Sequence, residues 1–242
     1  MAVDYKFKDR YNITDLIEIM RILRAPGGCP WDAEQNHDSI KKNFIEETYE
    51  VVEAINKNDP ELLKEELGDV LLQVVFHVAM EEEKNVFNFD DVADGICKKL
   101  IVRHPHVFGD ISVENTDEVL ANWDAIKRST KKQVTTTAAM ESVPRELPAL
   151  MRSSKLQSKA AKSGADISGE ISSYIENKAS ALSDNITEQN IGELLFAVVA
   201  AARKNDIDPE EALTKVSDRF LDDFRKFENS TDAEKETAEL YL

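Results

Sequence analysis

DPELLKEELGDVLLQVVFHVAMEEE, residues 59–83, decides the fold. Asp59-Pro60-Glu61 is a helix start: a capping side chain, then a proline where no backbone N–H is needed. From there the pattern predicts one helix to about Glu83. Its second half is apolar almost all round, so it should be the most buried element. Ahead of it a helix is expected over Ser39–Asn56, with Ile45, Tyr49, Val52 and Ile55 on one side. Another is expected over Ile13–Leu23, broken by Gly27-Gly28-Cys29-Pro30. Further helices are expected over Asp90–Arg103, Thr116–Arg128, Ala149–Ser163, Ile191–Lys204 and Glu210–Phe227, the last opening on Asp208-Pro209. No segment alternates with period two, so the fold class is all-α, with tandem helical-bundle domains.

Composition narrows the function. The chain has 242 residues, 42% of them hydrophobic, enough for a packed core. Acids outnumber bases 47 to 30, a net charge of −17 that repels phosphate backbones, so no nucleic-acid partner is expected. The apolar runs Val70–Met80 and Leu194–Ala202 fall well short of the roughly 18 residues of a membrane span, so no membrane partner is expected either. Met1 to Arg10 is polar and charged and shows no secretory signal. Cys29 and Cys97 are too few for a disulfide framework or a zinc cluster. A cytoplasmic protein is the expectation.

Thr130 to Leu147 changes character, with Gln133-Val134-Thr135-Thr136-Thr137 and two prolines lacking helical periodicity. The expected organisation is a first domain over 1–130, a linker over 131–148 and a second domain over 149–242. Gly68-Asp69-Val70-Leu71-Leu72 resembles Gly192-Glu193-Leu194-Leu195-Phe196 at an offset of 124 residues, a short match that fits either an internal duplication or two independent buried helices. The acid excess is concentrated in residues 1–130, with 27 acids and 15 bases.

Glu46-Glu47-Thr48-Tyr49-Glu50 precedes Glu66-Leu67-Gly68-Asp69 by fifteen residues. Glu47 and Glu50 share a helix face, as do Glu66 and Asp69. An antiparallel hairpin would bring four carboxylates together. No lysine or arginine on the adjacent buried stretch offsets them, whereas a hard divalent cation would. All-oxygen ligation suits Mg²⁺ or Mn²⁺, and Mg²⁺ brings substrate phosphates with it. Gly68 beside Asp69 suggests close helix packing. Acid runs on helices are otherwise solvated faces, the reading given to Glu81-Glu82-Glu83.

These acids, together with Gly28-Cys29-Pro30-Trp31-Asp32, Gln73-Val74-Val75-Phe76-His77 and Arg103-His104-Pro105-His106-Val107-Phe108-Gly109, resemble the signatures of the MazG family of all-α nucleoside triphosphate pyrophosphohydrolases, in family order. The resemblance covers residues 12–130. It implies an enzyme, a hydrolase of phosphoric anhydrides, in which bound Mg²⁺ and an attacking water turn a nucleoside triphosphate into a monophosphate and pyrophosphate. It implies Glu47, Glu50, Glu66 and Asp69 as metal ligands. Glu46 becomes the candidate for orienting or deprotonating the water, which makes Glu46, Glu47 and Glu50 the catalytic group. Lys99, Arg103, Trp123 and Lys127 match positions that hold the triphosphate and stack near the base. Read alone, Lys99 and Lys127 are equally ordinary solubilising lysines, and Trp123 equally a packing residue. The resemblance also implies a homodimer or higher homo-oligomer. Two other readings stand beside this one: a non-catalytic acidic helical interaction module, and a narrow pyrophosphohydrolase of a related nucleotide.

The second half departs from the pattern. Residues 170–190 contain only Glu170, Glu176 and Glu188, well separated, and where ExxD should stand the chain reads Asn190-Ile191-Gly192-Glu193. No tryptophan follows Trp123. A degenerate, non-catalytic second domain is expected. His77 reads as a satisfied core histidine, and His37 has no partner identifiable from sequence.

Overall fold

The computed structural model describes residues 5–130, 135–165 and 170–229. All regular elements there are helical: α1 (Ile13–Arg24), α2 (Pro30–Glu34), α3 (His37–Lys57), α4 (Pro60–Glu82), α5 (Phe89–Arg103), α6 (Pro105–Phe108), α7 (Thr116–Thr130), α8 (Thr136–Glu141), α9 (Ala149–Ala161), α10 (Ile171–Asp184), α11 (Glu188–Lys204) and α12 (Pro209–Glu228). Among the described residues no helix is long and apolar enough to cross a membrane. The chain forms two compact units, Met1–Val119 and Leu120–Leu242.

In the first unit α3 ends on Asn58, whose left-handed backbone (φ 52°) turns the chain directly into the Asp59 cap of α4. So short a connection makes α3 and α4 an antiparallel hairpin. The Asp59 side chain accepts from the N–H groups of Glu61 and Leu62 at 3.1 Å, and Pro60 occupies the first helical position. α1 lies along the far half of α4. There Met20 and Ile40 pack with Val75, Phe76, Ala79 and Met80, flanked by Leu16, Ile17, Leu72 and Phe89. The apolar half of α4 is the buried one, as its composition predicts. Gly28 lies directly against the carbonyls of Ile22 and Leu23 at the end of α1, where any side chain would collide. That contact, with Cys29 N–H donating to Leu23 at 2.7 Å, folds the Gly-Cys-Pro-Trp segment back and starts α2.

The second unit repeats this order. α10 and α11 pair as a hairpin, α9 lies on α11, and α12 packs on α9. The sequence repeat is also a burial repeat. Gln73, Val75 and Phe76 are buried on α4, and Ala197, Val199 and Ala200, each 124 residues on, are buried on α11.

Several expectations change. The division between units falls inside α7, ahead of residue 130. Residues 136–141 of the expected linker are helical, because the Thr135 side chain caps Ala138 N–H, and Val143 is buried. Six residues are too few to carry a period. Residues 131–134 of that linker, and 166–169 and 230–242 of the expected second domain, lie outside the described residues. The helix α10 is not among the expected elements, although Ile171, Tyr174, Ile175, Lys178 and Leu182 have helical spacing. Glu81, Glu82 and Glu83 are not a solvated face. Glu81 pairs with His37 and Lys84, the Arg21 fork holds Glu82 at 2.7 and 3.0 Å, and Arg24 holds Glu83 at 2.6 and 2.9 Å. Arginines from α1 thus anchor the end of α4.

Met20, only 1% exposed, fills the α1–α4 interface. Met20→Ala should lower stability by about 3 kcal/mol in urea unfolding. Gly95 lies within α5 with open space where a Cβ would stand. Gly95→Ala should raise stability by about 0.5–1 kcal/mol in the same measurement.

Candidate metal and active site

The hairpin places α3 residues Glu47 and Glu50 opposite α4 residues Glu66 and Asp69. Carboxylate oxygens of Glu47, Glu66 and Asp69 all lie within 4.8 Å of one another, and all three residues are half-buried. Glu50, one turn from Glu47 on the same helix face, is close enough to raise the pKa of both Glu47 and Glu66. Bringing acids this close disfavours ionisation. The Glu47 carboxyl is pushed above the ordinary range, first by burial, then by the charge of Asp69 and by Glu50. Glu66 is raised by partial burial and then by the charges of Glu50 and Asp69. Three carboxylates from two facing helices, with Glu50 beside them, form an all-oxygen donor set, the kind hard divalent cations take.

A buried oxygen lies near this set. Gln73 is one turn beyond Asp69 on α4 and 7% exposed, and its Oε1 has no protein partner. An unsatisfied carbonyl there fits a bound water or substrate donor next to the acids. Sequence reading took Gln73 only as part of a family signature. Its signal was a polar residue inside the most apolar helix.

The other predicted residues are placed differently. Glu46 is exposed and lies outside the acidic group, since one residue along a helix turns the side chain by about 100°. Gly68 makes no close helix contact: nothing among the described residues lies within 4 Å of where its Cβ would stand. Lys99 is exposed on α5, whereas Arg103 in the last turn is buried, 8% exposed. Trp123 and Lys127 are half-buried on the part of α7 that belongs to the second unit. His104 Nδ1 lies 2.7 Å from the Leu100 carbonyl, at the end of α5.

His77 is satisfied as expected, and its partner is His37. The rings stack with centroids 5.0 Å apart, Nδ1 lies 2.7 Å from Nδ1, and His37 Nε2 reaches Glu81 at 2.6 Å. Burial and then the neighbouring His37 lower the His77 pKa. The pair pins the start of α3 to α4, well along the hairpin from the acids.

In the second unit the counterparts of Glu66 and Asp69 are Asn190 and Glu193. Asn190 spends its side-chain N–H groups on the carbonyls of Ala181 and Asn185, at 3.0 and 2.7 Å. Glu193 forms an ion pair with Lys178 of α10 at 2.7 Å and accepts from Gln189 at 2.8 Å. Among the described residues only the first unit groups three possible ligands.

The raised carboxyls set a pH dependence. A carboxyl whose folded pKa exceeds its unfolded value destabilises the fold when ionised. The penalty is full above the raised pKa and fades as pH falls through it toward the unfolded value near 4.5. In EDTA the melting temperature of the intact chain should therefore carry a penalty at neutral pH that Glu47→Gln relieves. Mg²⁺ should raise the melting temperature of the intact chain and leave that of Glu47→Gln nearly unchanged. Equal responses in thermal-shift measurements would contradict this assignment.

Residues 35–108 match the MazG nucleotide pyrophosphohydrolase domain, a span that contains all four acids. The chain is 42% identical over 228 residues to the nucleoside triphosphate pyrophosphohydrolase of Escherichia coli K12, covering 89% of this chain and 87% of that protein. It is 38% identical over 220 residues to the nucleoside triphosphate pyrophosphohydrolase/pyrophosphatase MazG of Thermotoga maritima, covering 88% and 84%. It is 44% identical over 232 residues to the uncharacterized protein YabN of Bacillus subtilis, matching 92% of this chain but only about half, 47%, of that longer protein. With the acidic hairpin at the centre of the matched domain and a relative aligned along nearly its whole length, the chain belongs to the MazG nucleotide pyrophosphohydrolase family.

Proposed function

We propose that the first unit hydrolyses nucleoside triphosphates to nucleoside monophosphate and pyrophosphate, with Mg²⁺, or Mn²⁺ in its place, held by Glu47, Glu50, Glu66 and Asp69. The observation that carries this reading is the convergence of Glu47, Glu66 and Asp69 oxygens within 4.8 Å of one another from two helices, with Glu50 beside them. When bound, the metal neutralises the acids, polarises phosphoryl oxygens and acidifies water. The sequence resemblance assigns the proton of the attacking water to Glu46, which would have to take it from outside the acidic group. The water oxygen bonds to the α-phosphorus as the bond to the bridging oxygen breaks, and pyrophosphate leaves. Lys99 supplies countercharge to the triphosphate. Arg103, buried in the last turn of α5, fixes phosphate orientation in this reading. The base-end roles of Trp123 and Lys127 rest on the sequence resemblance. Positioning and charge neutralisation do most of the catalytic work.

The active form in this reading is a homodimer. Ile45, Tyr49, Val52 and Ile55 line one side of α3 and are each about half exposed. A continuous apolar stripe of this kind suits a second copy. The second unit is non-catalytic, and a cytoplasmic enzyme of nucleotide metabolism fits the whole.

The test is to incubate the chain with Mg²⁺ and each common ribo- and deoxynucleoside triphosphate and quantify products. Equimolar pyrophosphate and monophosphate are expected, with Glu47→Gln/Glu50→Gln lowering turnover by about 100-fold or more. A single active substrate would identify a narrow specialist. Orthophosphate release, or Mg²⁺ stabilisation without turnover on any nucleotide, would overturn the proposal, the latter in favour of a binding module.

A further inference from the structure

One face of α4 carries a line of polar side chains. Glu66, Asp69, Gln73, His77 and Glu81 stand three or four residues apart, so they share that face along the helix. At the far end Glu81 pairs with His37 and Lys84. His77 Nδ1 lies 2.7 Å from His37 Nδ1, and the Phe44 ring meets the His77 ring edge-on at 5.9 Å. At the end near the α3–α4 connection Glu66 and Asp69 converge on Glu47, the group that the proposed function gives to a divalent cation. Gln73 stands between the two ends. It is 7% exposed, and its Oε1 is buried without a hydrogen-bond partner among the described residues.

The helix register ties Gln73 to the acids. Side chains of an α-helix lean toward its N-terminus, so Gln73 leans back along α4 toward Asp69, about 6 Å away along the axis. α3 runs in the opposite direction, so Glu47 leans along the hairpin toward the level of Gln73. The amide thus lies at the core side of the acidic group, where the buried Phe76 and Met80 follow it along α4.

A buried amide oxygen is costly unless it accepts a hydrogen bond. Gln73 Oε1 therefore needs an N–H or O–H donor. Ionised carboxylates offer none, and the phosphate oxygens of a nucleotide are acceptors as well. A base or a sugar has donors but needs room, and this position is buried. A water fits both demands. Mg²⁺ dehydrates reluctantly and keeps several waters when carboxylates hold it. A water on such an ion is acidified and is a stronger donor than a free one.

We propose that Gln73 is a positioning residue of the acidic site: its Oε1 accepts a hydrogen bond from a water that the divalent cation carries, and so fixes where the ion sits between α3 and α4. Gln73 acts there only if Glu47, Glu66 and Asp69 hold the cation, as in the proposed function. Without the cation the amide oxygen is a liability to the fold.

The test pairs Mn²⁺ titration, followed by loss of the free-ion paramagnetic resonance signal, with thermal unfolding in EDTA. Gln73→Met keeps the length of the side chain and removes the acceptor, whereas Gln73→Glu keeps an acceptor. Gln73→Met should bind Mn²⁺ at least tenfold more weakly than the intact chain. In EDTA it should melt at the same temperature or higher, because no orphaned oxygen remains. Gln73→Glu should bind Mn²⁺ at least as tightly as the intact chain. A glutamine that served only the fold would show the opposite pattern in EDTA, so a lower melting temperature of Gln73→Met there would overturn the proposal. Binding by Gln73→Glu as weak as that of Gln73→Met would also overturn it. Equal Mn²⁺ affinity of Gln73→Met and the intact chain would overturn it while leaving the cation site standing. No saturable Mn²⁺ binding by the intact chain would remove the cation site and this role of Gln73 together.

Discussion

Carboxylates on facing helices repel, and the first unit is arranged around that repulsion. A two-residue connection, with Asn58 in a left-handed conformation and Asp59 capping the next helix, forces α3 and α4 side by side. The register it sets brings Glu47 and Glu50 against Glu66 and Asp69 whether or not anything neutralises them. Stability for the pairing comes from the opposite end. There Met20, Ile40, Val75, Phe76 and Met80 are removed from water, and Arg21, Arg24 and His37 take up Glu82, Glu83 and Glu81. One end of the hairpin is charge-balanced and apolar; the other is left with an excess of negative charge.

The two units answer the same geometric problem in two ways. Their hairpins bury equivalent positions 124 residues apart, so the scaffold is shared. In the second, Asn190 removes one charge and Lys178 balances another. A lysine held by an ion pair and a metal ion held by four acids are alternative means of neutralising a carboxylate between helices. The first needs no metal. The second, in the proposed function, would also serve phosphoryl chemistry, because an ion with open coordination positions can bind substrate oxygens.

Much of this was legible in the sequence. The spacing of Glu47, Glu50, Glu66 and Asp69 suffices because three- and four-residue separations fix a helix face, and a capped proline start fixes where the next helix begins. The burial of the Val70–Met80 run followed from composition alone. Other features depend on tertiary partners that spacing does not reveal. Glu81, Glu82 and Glu83 look solvated until α1 supplies two arginines. His37 has no visible partner until the hairpin register brings it to His77. α8 is too short for periodicity and exists because Thr135 caps it. Gly68 suggested close packing, yet its surroundings are open. The loss of acids in the second half was visible at once, whereas their replacement by a lysine fifteen residues earlier required the fold.

Cation binding by the acidic hairpin is the central claim, and Mn²⁺ reports it directly through loss of the free-ion paramagnetic resonance signal. Titrating Mn²⁺ into the intact chain and into Glu66→Gln/Asp69→Asn, with circular dichroism confirming that both are folded, separates specific ligation from general acidity. Saturable binding by the intact chain that disappears in the variant is the predicted result. Equal binding by the two, on a chain whose net charge is −17, would mean that the ion only follows the acidic surface, and would contradict the account.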